Sequence, residues 1–131
     1  MKLEEIEAAW QQDCRIDQSN LGLESLKVPE LHNKYYKMFI NERGVLRVYE
    51  QKYKELYKQK YEYFMGIMDE GELRANGWEP NPLKILKQDL SMYMDSDKDL
   101  SEIVAKIEFQ KDKVAFLESI IKTVPNRGLL S

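Results

Sequence analysis

The chain predicts an all-α protein: a long antiparallel helical hairpin with a short N-terminal helix, built to assemble through helix packing. Two stretches, Asn41 to Gly66 and Lys98 to Val124, keep their apolar residues three and four positions apart, the spacing of helices that pack along their length. Strand signals are nearly absent. The composition, 43% hydrophobic and 33% charged with a bias toward Lys, Glu, Leu and Gln, favours long helices. At 131 residues there is material for one core, so a single helical domain over 1–131 is expected.

Leu3, Ile6 and Trp10 share one stripe, which predicts a helix from Lys2 to about Asp13. A helix so short must dock to be stable. The segment Cys14 to Gly22 clusters Asp, Ser, Asn and Gly and reads as a loop ending in a helix cap near Ser19 or Asn20. Leu21 to Val28 is long enough for two helical turns and completes an N-terminal part over 1–28. Pro29 opens the next helix. From there the pattern runs through Leu31, Tyr35, Met38 and Glu42 to Gly66 without a stop signal, so one helix over 29–66 is predicted, with Gly44 as its one point for a bend. Its second half carries a seam of Leu46, Tyr49, Tyr53, Leu56, Tyr63 and Ile67, interrupted by Lys60 where an apolar residue belongs.

Gly71, Gly77, Pro80 and Pro82 mark 67–82 as a connector. Within it DEGELRA predicts a turn or two of helix closed by Gly77, and Trp78 is expected to plug the connector onto the core. The return arm spans 83–124. Its first helix, Leu83 to Met94, would bury Leu83, Leu86, Leu90 and Tyr93. Asp95, Asp97 and Asp99 then alternate as at the opening of a calcium loop, but Leu100 stands where the turn glycine is required and Lys106 where the bidentate glutamate belongs. Capping of the next helix by an aspartate is the better explanation. That last helix, Lys98 to about Val124, has a seam that includes Leu100, Ile107, Gln110, Val114 and Leu117. Pro125, Asn126 and Gly128 end it, and the tail 125–131 looks shortened.

The net charge of −3 argues against a protein that coats nucleic acid with its whole surface, yet the bases concentrate between Lys34 and Lys60. There Arg43, Arg47, Lys54 and Lys58 form a stripe at roughly a third of a turn from the seam, with Tyr57 and Tyr61 between stripe and seam. Cations beside flat rings suit a single strand, whose phosphates need neutralising and whose bases stack. A solvated charged face with half-buried tyrosines is the commoner meaning of such a pattern.

Other classes are excluded. One cysteine, Cys14, allows no internal disulfide and fits a reducing compartment; with a single, distant His32 it makes no catalytic pair. No stretch reaches the ~20 apolar residues of a membrane span, and MKLEEIEAA is too acidic for a signal peptide. Dinucleotide, P-loop and HExxH motifs are missing, so no enzyme, cofactor or metal is expected.

The opening MKLEEIEAAW, the segments SNLGLESL and LHNKY, the GWEP connector, LKILKQDLSMYMDSDKDL and FLESIIKTVPNR carry a resemblance over Met1 to about Arg127. In their order and spacing the chain resembles the UvsY family of recombination mediators of T-even-like phages, above all the members from phages of marine cyanobacteria. The resemblance implies a helical protein that forms a ring or open barrel as a homo-oligomer, binds single-stranded DNA, and helps load a RecA-like phage recombinase onto strands covered by the phage single-strand-binding protein, in the cytoplasm of the infected host cell. It implies roles in DNA recombination, repair and replication. The family's DNA-binding segment has the form basic, any, basic, apolar, acidic, two aromatics, small, glycine. Here that form falls on Lys58 to Gly66 with both cations present, Lys58 and Lys60, while Met65 replaces the small residue. Lys60 is then expected to face DNA or a neighbouring subunit. The candidate DNA-binding set is Lys58, Lys60, Lys54, Arg47, Tyr57 and Tyr61. Family members continue past the NR pair with a further amphipathic stretch that helps hold subunits together, and this chain ends at Ser131. The rival reading is a helical scaffold or adaptor that binds other proteins through its coiled-coil-like seams, without DNA binding.

Overall fold

The structure, a computed structural model, describes residues 1–15 and 26–124. Every regular element among them is helical: α1 (Leu3–Asp13), α2 (Val28–Phe64), α3 (Glu70–Asn76), a 3-10 turn (Lys87–Asp89), α4 (Leu90–Ser96) and α5 (Lys98–Thr123). The all-α expectation holds, and α2 is one helix of 37 residues. The loop and cap expected near Ser19 or Asn20, and the tail over 125–131, lie outside the described residues. No helix among the described residues is long and apolar enough to cross a membrane.

The chain divides into two compact units, one drawn from Met1–Leu46 and Phe109–Ser131, the other from Arg47–Glu108. In the first, α1 supplies the stripe its sequence predicts. Ile6 is fully buried against Tyr35, Leu117, Ile120 and Val124, and the Trp10 ring meets Tyr35 edge-on at 5.4 Å. The Tyr35 hydroxyl donates to Asp13 Oδ2 at 2.8 Å, and Lys34 Nζ donates to the same oxygen at 2.6 Å. Burial and that carboxylate push the Tyr35 phenol well above its ordinary range, so it stays a neutral donor.

The α2 and α5 segments of this unit run antiparallel, and their shared seam holds polar residues as well. Glu42, Gln110 and Lys113 are all buried. Gln110 Nε2 donates to the Glu42 carbonyl at 2.7 Å and to Glu42 Oε1 at 3.2 Å; Lys113 Nζ donates to Glu42 Oε1 at 3.2 Å and to the Met1 carbonyl at 2.8 Å. Burial alone would raise the Glu42 carboxyl, but the bonds from Gln110 and Lys113, with the charges of Lys113 and the N-terminal ammonium, hold it below the usual carboxylate range.

In the second unit Leu90, Met94 and Leu100 form the buried cluster, and Tyr53, Leu56, Tyr61 and Phe64 of α2, with Met65 just beyond the helix, pack on it. The ends of its helices are set by local chemistry. Gly66 and Gly77 are the two left-handed glycines among the described residues, at φ 74° and 69°. At the first, Gly66 N–H donates to the Tyr63 carbonyl and Ile67 N–H to the Glu62 carbonyl; at the second, Gly77 N–H donates to Arg74 and Trp78 N–H to Leu73. These are Schellman closures, which need a residue free to take positive φ. A Cβ on Gly66 would meet nothing within 4 Å, so Gly66→Ala is expected to cost only the backbone strain, about 1 kcal/mol. Chemical denaturation reads that loss, and Gly66→Asn should recover part of it.

Asp69 Oδ1 caps α3 by accepting from Glu72 N–H at 2.7 Å, and Asp97 Oδ2 caps α5 by accepting from Leu100 N–H at 3.0 Å. The second is the aspartate cap expected from DSDKD. One expectation is corrected: Leu83 to Met94 is not one helix. The Asn81 side chain accepts from Leu83 N–H at 3.2 Å, Leu86 is extended at ψ 144°, and Leu83 and Leu86 are 57% and 56% exposed. Pro82 and the side-chain turn at Asn81 hold the backbone away from helix, so helical structure begins only at the 3-10 turn. Ile67, expected on the α2 seam, lies beyond the Gly66 closure and is 66% exposed.

Candidate nucleic-acid interface

The segment of α2 from Arg47 to Phe64 has two unlike faces, and its packing decides which candidates reach solvent. Arg47, Lys54 and Lys58 are exposed. Arg47 and Lys54 make no ion pair among the described residues. Lys58, 79% exposed, stands 4.0 Å from Glu62 one turn along, a surface pairing that contributes little and leaves the ammonium available. The three cations climb one side of the helix over roughly 16 Å at 1.5 Å per residue. Tyr57, 45% exposed, stands between Lys54 and Lys58.

Lys60 faces the other way, and the expectation that it projects outward is corrected. It is 6% exposed; its ammonium lies 2.8 Å from Asp99 Oδ2 and 3.2 Å from Asp97 Oδ1. The same nitrogen sits 4.1 Å from the centre of the Trp78 ring, a contact that adds to the electrostatic hold on a desolvated cation. Burial alone would lower its pKa, but hydrogen bonds to Asp99 and Asp97 and their charges raise it. Trp78 therefore plugs the connector onto the core as expected, and it does so through this cation and an edge contact with Tyr63 at 5.5 Å. The Tyr63 hydroxyl donates to the Glu79 carbonyl at 2.7 Å. Tyr61 is half-buried on the Leu90 cluster, so of the two tyrosines proposed for stacking only Tyr57 is open.

The nine-residue stretch from Lys58 to Gly66 thus divides its duties. Lys58 is its outward cation. Lys60, Tyr61, Tyr63, Phe64 and Met65 pin the end of α2 to the connector and to α4 and α5, and Gly66 turns the chain. Sequence reasoning missed the carboxylates opposite Lys60; the signal was present in DSDKD, an acidic run without a partner. It also missed Glu42 with Lys113, signalled by Glu42 and Gln110 at seam positions of both long helices.

Comparison with known proteins decides the lineage. A family model described as recombination, repair and ssDNA binding protein UvsY matches residues 9–130. The chain belongs to the UvsY family. Crystal structures of the bacteriophage T4 recombination mediator protein UvsY superpose closely: one with TM-score 0.85 at 18% identity over 99% of this chain and 92% of that one, another with TM-score 0.84 at 19% identity over 99% and 90%. At such identities the match establishes that the UvsY fold is shared. No curated protein sequence matches the chain. Within the UvsY frame, the segment of family form is a helix end held by its own fold, with the basic track on its open side.

Proposed function

We propose that the chain is a recombination mediator that binds single-stranded DNA through Arg47, Lys54 and Lys58, with Tyr57 as its open aromatic ring. In this reading it acts as a homo-oligomer and helps load a RecA-like phage recombinase onto strands covered by the phage single-strand-binding protein, in the infected host's cytoplasm, without enzymatic chemistry. The observation that carries it is the exposed track of three cations on a packed helix, in a chain of a family described as ssDNA binding. Phosphates supply most of the affinity and all of its salt dependence. Three contacts give a salt slope of only about 2 for a single strand, so one subunit binds weakly at physiological salt. Several subunits along one strand multiply modest contacts through effective concentration, which is the physical reason for assembly.

The double variant Lys54→Ala, Lys58→Ala tests this. Fluorescence anisotropy with a labelled oligonucleotide should show weaker binding and a salt slope per subunit shallower by about 1.4. The melting temperature should stay within a degree or two, because neither cation packs on the core. Unaltered affinity and slope would remove the track from the interface and favour the scaffold reading.

A further inference from the structure

We infer that unit Arg47–Glu108 carries a groove that accepts one base of the bound strand, an inference that rests on the DNA-binding reading above. The groove encloses about 390 Å³. Tyr53 and Tyr57 of α2 line one side, with ring centres 5.9 Å apart and planes tilted by 50°; Leu100 and Val104 of α5 line the other, and Asp95 and Ser101 stand at the rim. Tyr53 is fixed by its packing on the buried Leu90 cluster, while Tyr57 and Val104 remain 45% and 42% exposed. A fixed ring beside an open one offers aromatic faces along a mostly apolar groove, which suits a planar π-system.

Two features favour a base over an apolar protein side chain. Asp95 has no ion pair or hydrogen bond, and the Ser101 hydroxyl no hydrogen bond, among the described residues. Both are exposed at the rim, where an aliphatic occupant gains nothing from them, whereas a base edge brings amino and imino donors, and carboxylates accept from such donors. The second feature is placement. Lys54 lies one turn before Tyr57 on the same face, so a phosphate held there leaves its own base within reach of the slot.

Binding of the full chain to a labelled oligonucleotide, compared with a matched strand of abasic sugars, reads the groove separately from the cations. The wild type should bind the base-bearing strand about 5-fold or more tightly. Tyr57→Ala should erase that preference, and Tyr57→Phe should retain it. Ala105→Leu, which fills the groove from α5, should weaken the preference without touching a ring. Equal wild-type binding to both strands would overturn the groove and leave the cation track standing; failure to bind either strand would overturn the DNA-binding reading and the groove with it. A preference that survives both Tyr57→Ala and Ala105→Leu also overturns the assignment. So does a preference that falls only together with a shift to lighter species in sedimentation, which would give the groove to a protein partner.

Discussion

Lys60→Ala is expected to destabilise the protein by about 2 to 4 kcal/mol, which at this chain length lowers the melting temperature by roughly 10 °C. The loss comes from what stays behind. Asp97 is 10% exposed as a side chain, and without the ammonium its charge is left nearly buried, opposed only by the helix amides it caps. Asp99 is 48% exposed, and water takes over its solvation at small cost, which keeps the figure below that of a wholly buried pair. The Trp78 ring also loses the cation at 4.1 Å, which loosens the connector. DNA affinity should fall in this variant only as far as unfolding requires, and at low temperature it should approach the wild type. Lys58→Ala should behave in the opposite way, melting normally while binding less. A Lys60→Ala protein that melts like the wild type yet binds DNA poorly would return Lys60 to the interface and undo the corrected assignment. The pH dependence has a definite sign. Because the folded Lys60 pKa is raised above the ordinary value of 10.5, its stabilisation is complete below that value and is lost as the pH rises through the folded one, so thermal stability should be flat at neutrality and decline in strong alkali.

Glu42→Gln should prove comparably severe, about 3 to 5 kcal/mol at neutral pH, since it strips the counter-charge from a Lys113 side chain only 10% exposed. The glutamine keeps the shape and leaves Gln110 an acceptor, so the loss reports charge more than volume. The folded Glu42 carboxyl lies below its ordinary value of 4.5. Its contribution is therefore present above that value and disappears as the pH falls through the lower folded one. Urea titrations of wild type and variant should diverge at neutral pH and converge in acid. A stability difference that ignores pH would mean that Glu42 acts by packing alone.

Helix periods, glycine closures and caps were readable because each is local. The α2 seam follows from backbone bonds four residues apart, Gly66 and Gly77 from the need for positive φ, and Asp97 from free amides within one turn. The expected helix from Leu83 failed on equally local grounds, since an asparagine turn beside Pro82 outweighs two leucines at helical spacing. Exposure across the candidate set was half readable. Arg47, Lys54, Lys58 and Tyr57 lie on the open face expected of them, whereas Lys60 and Tyr61 turn inward although their own helix places them beside the others.

The chain's local signals were enough to dictate an all-helical protein, most of its helix ends and a basic track. Which cation of the Lys58 and Lys60 pair faces water was settled by folding. An ammonium in a seam is costly or stabilising according to whether carboxylates from a distant part of the chain arrive to meet it, and Asp97 and Asp99 reach Lys60 only when the return arm packs back against α2.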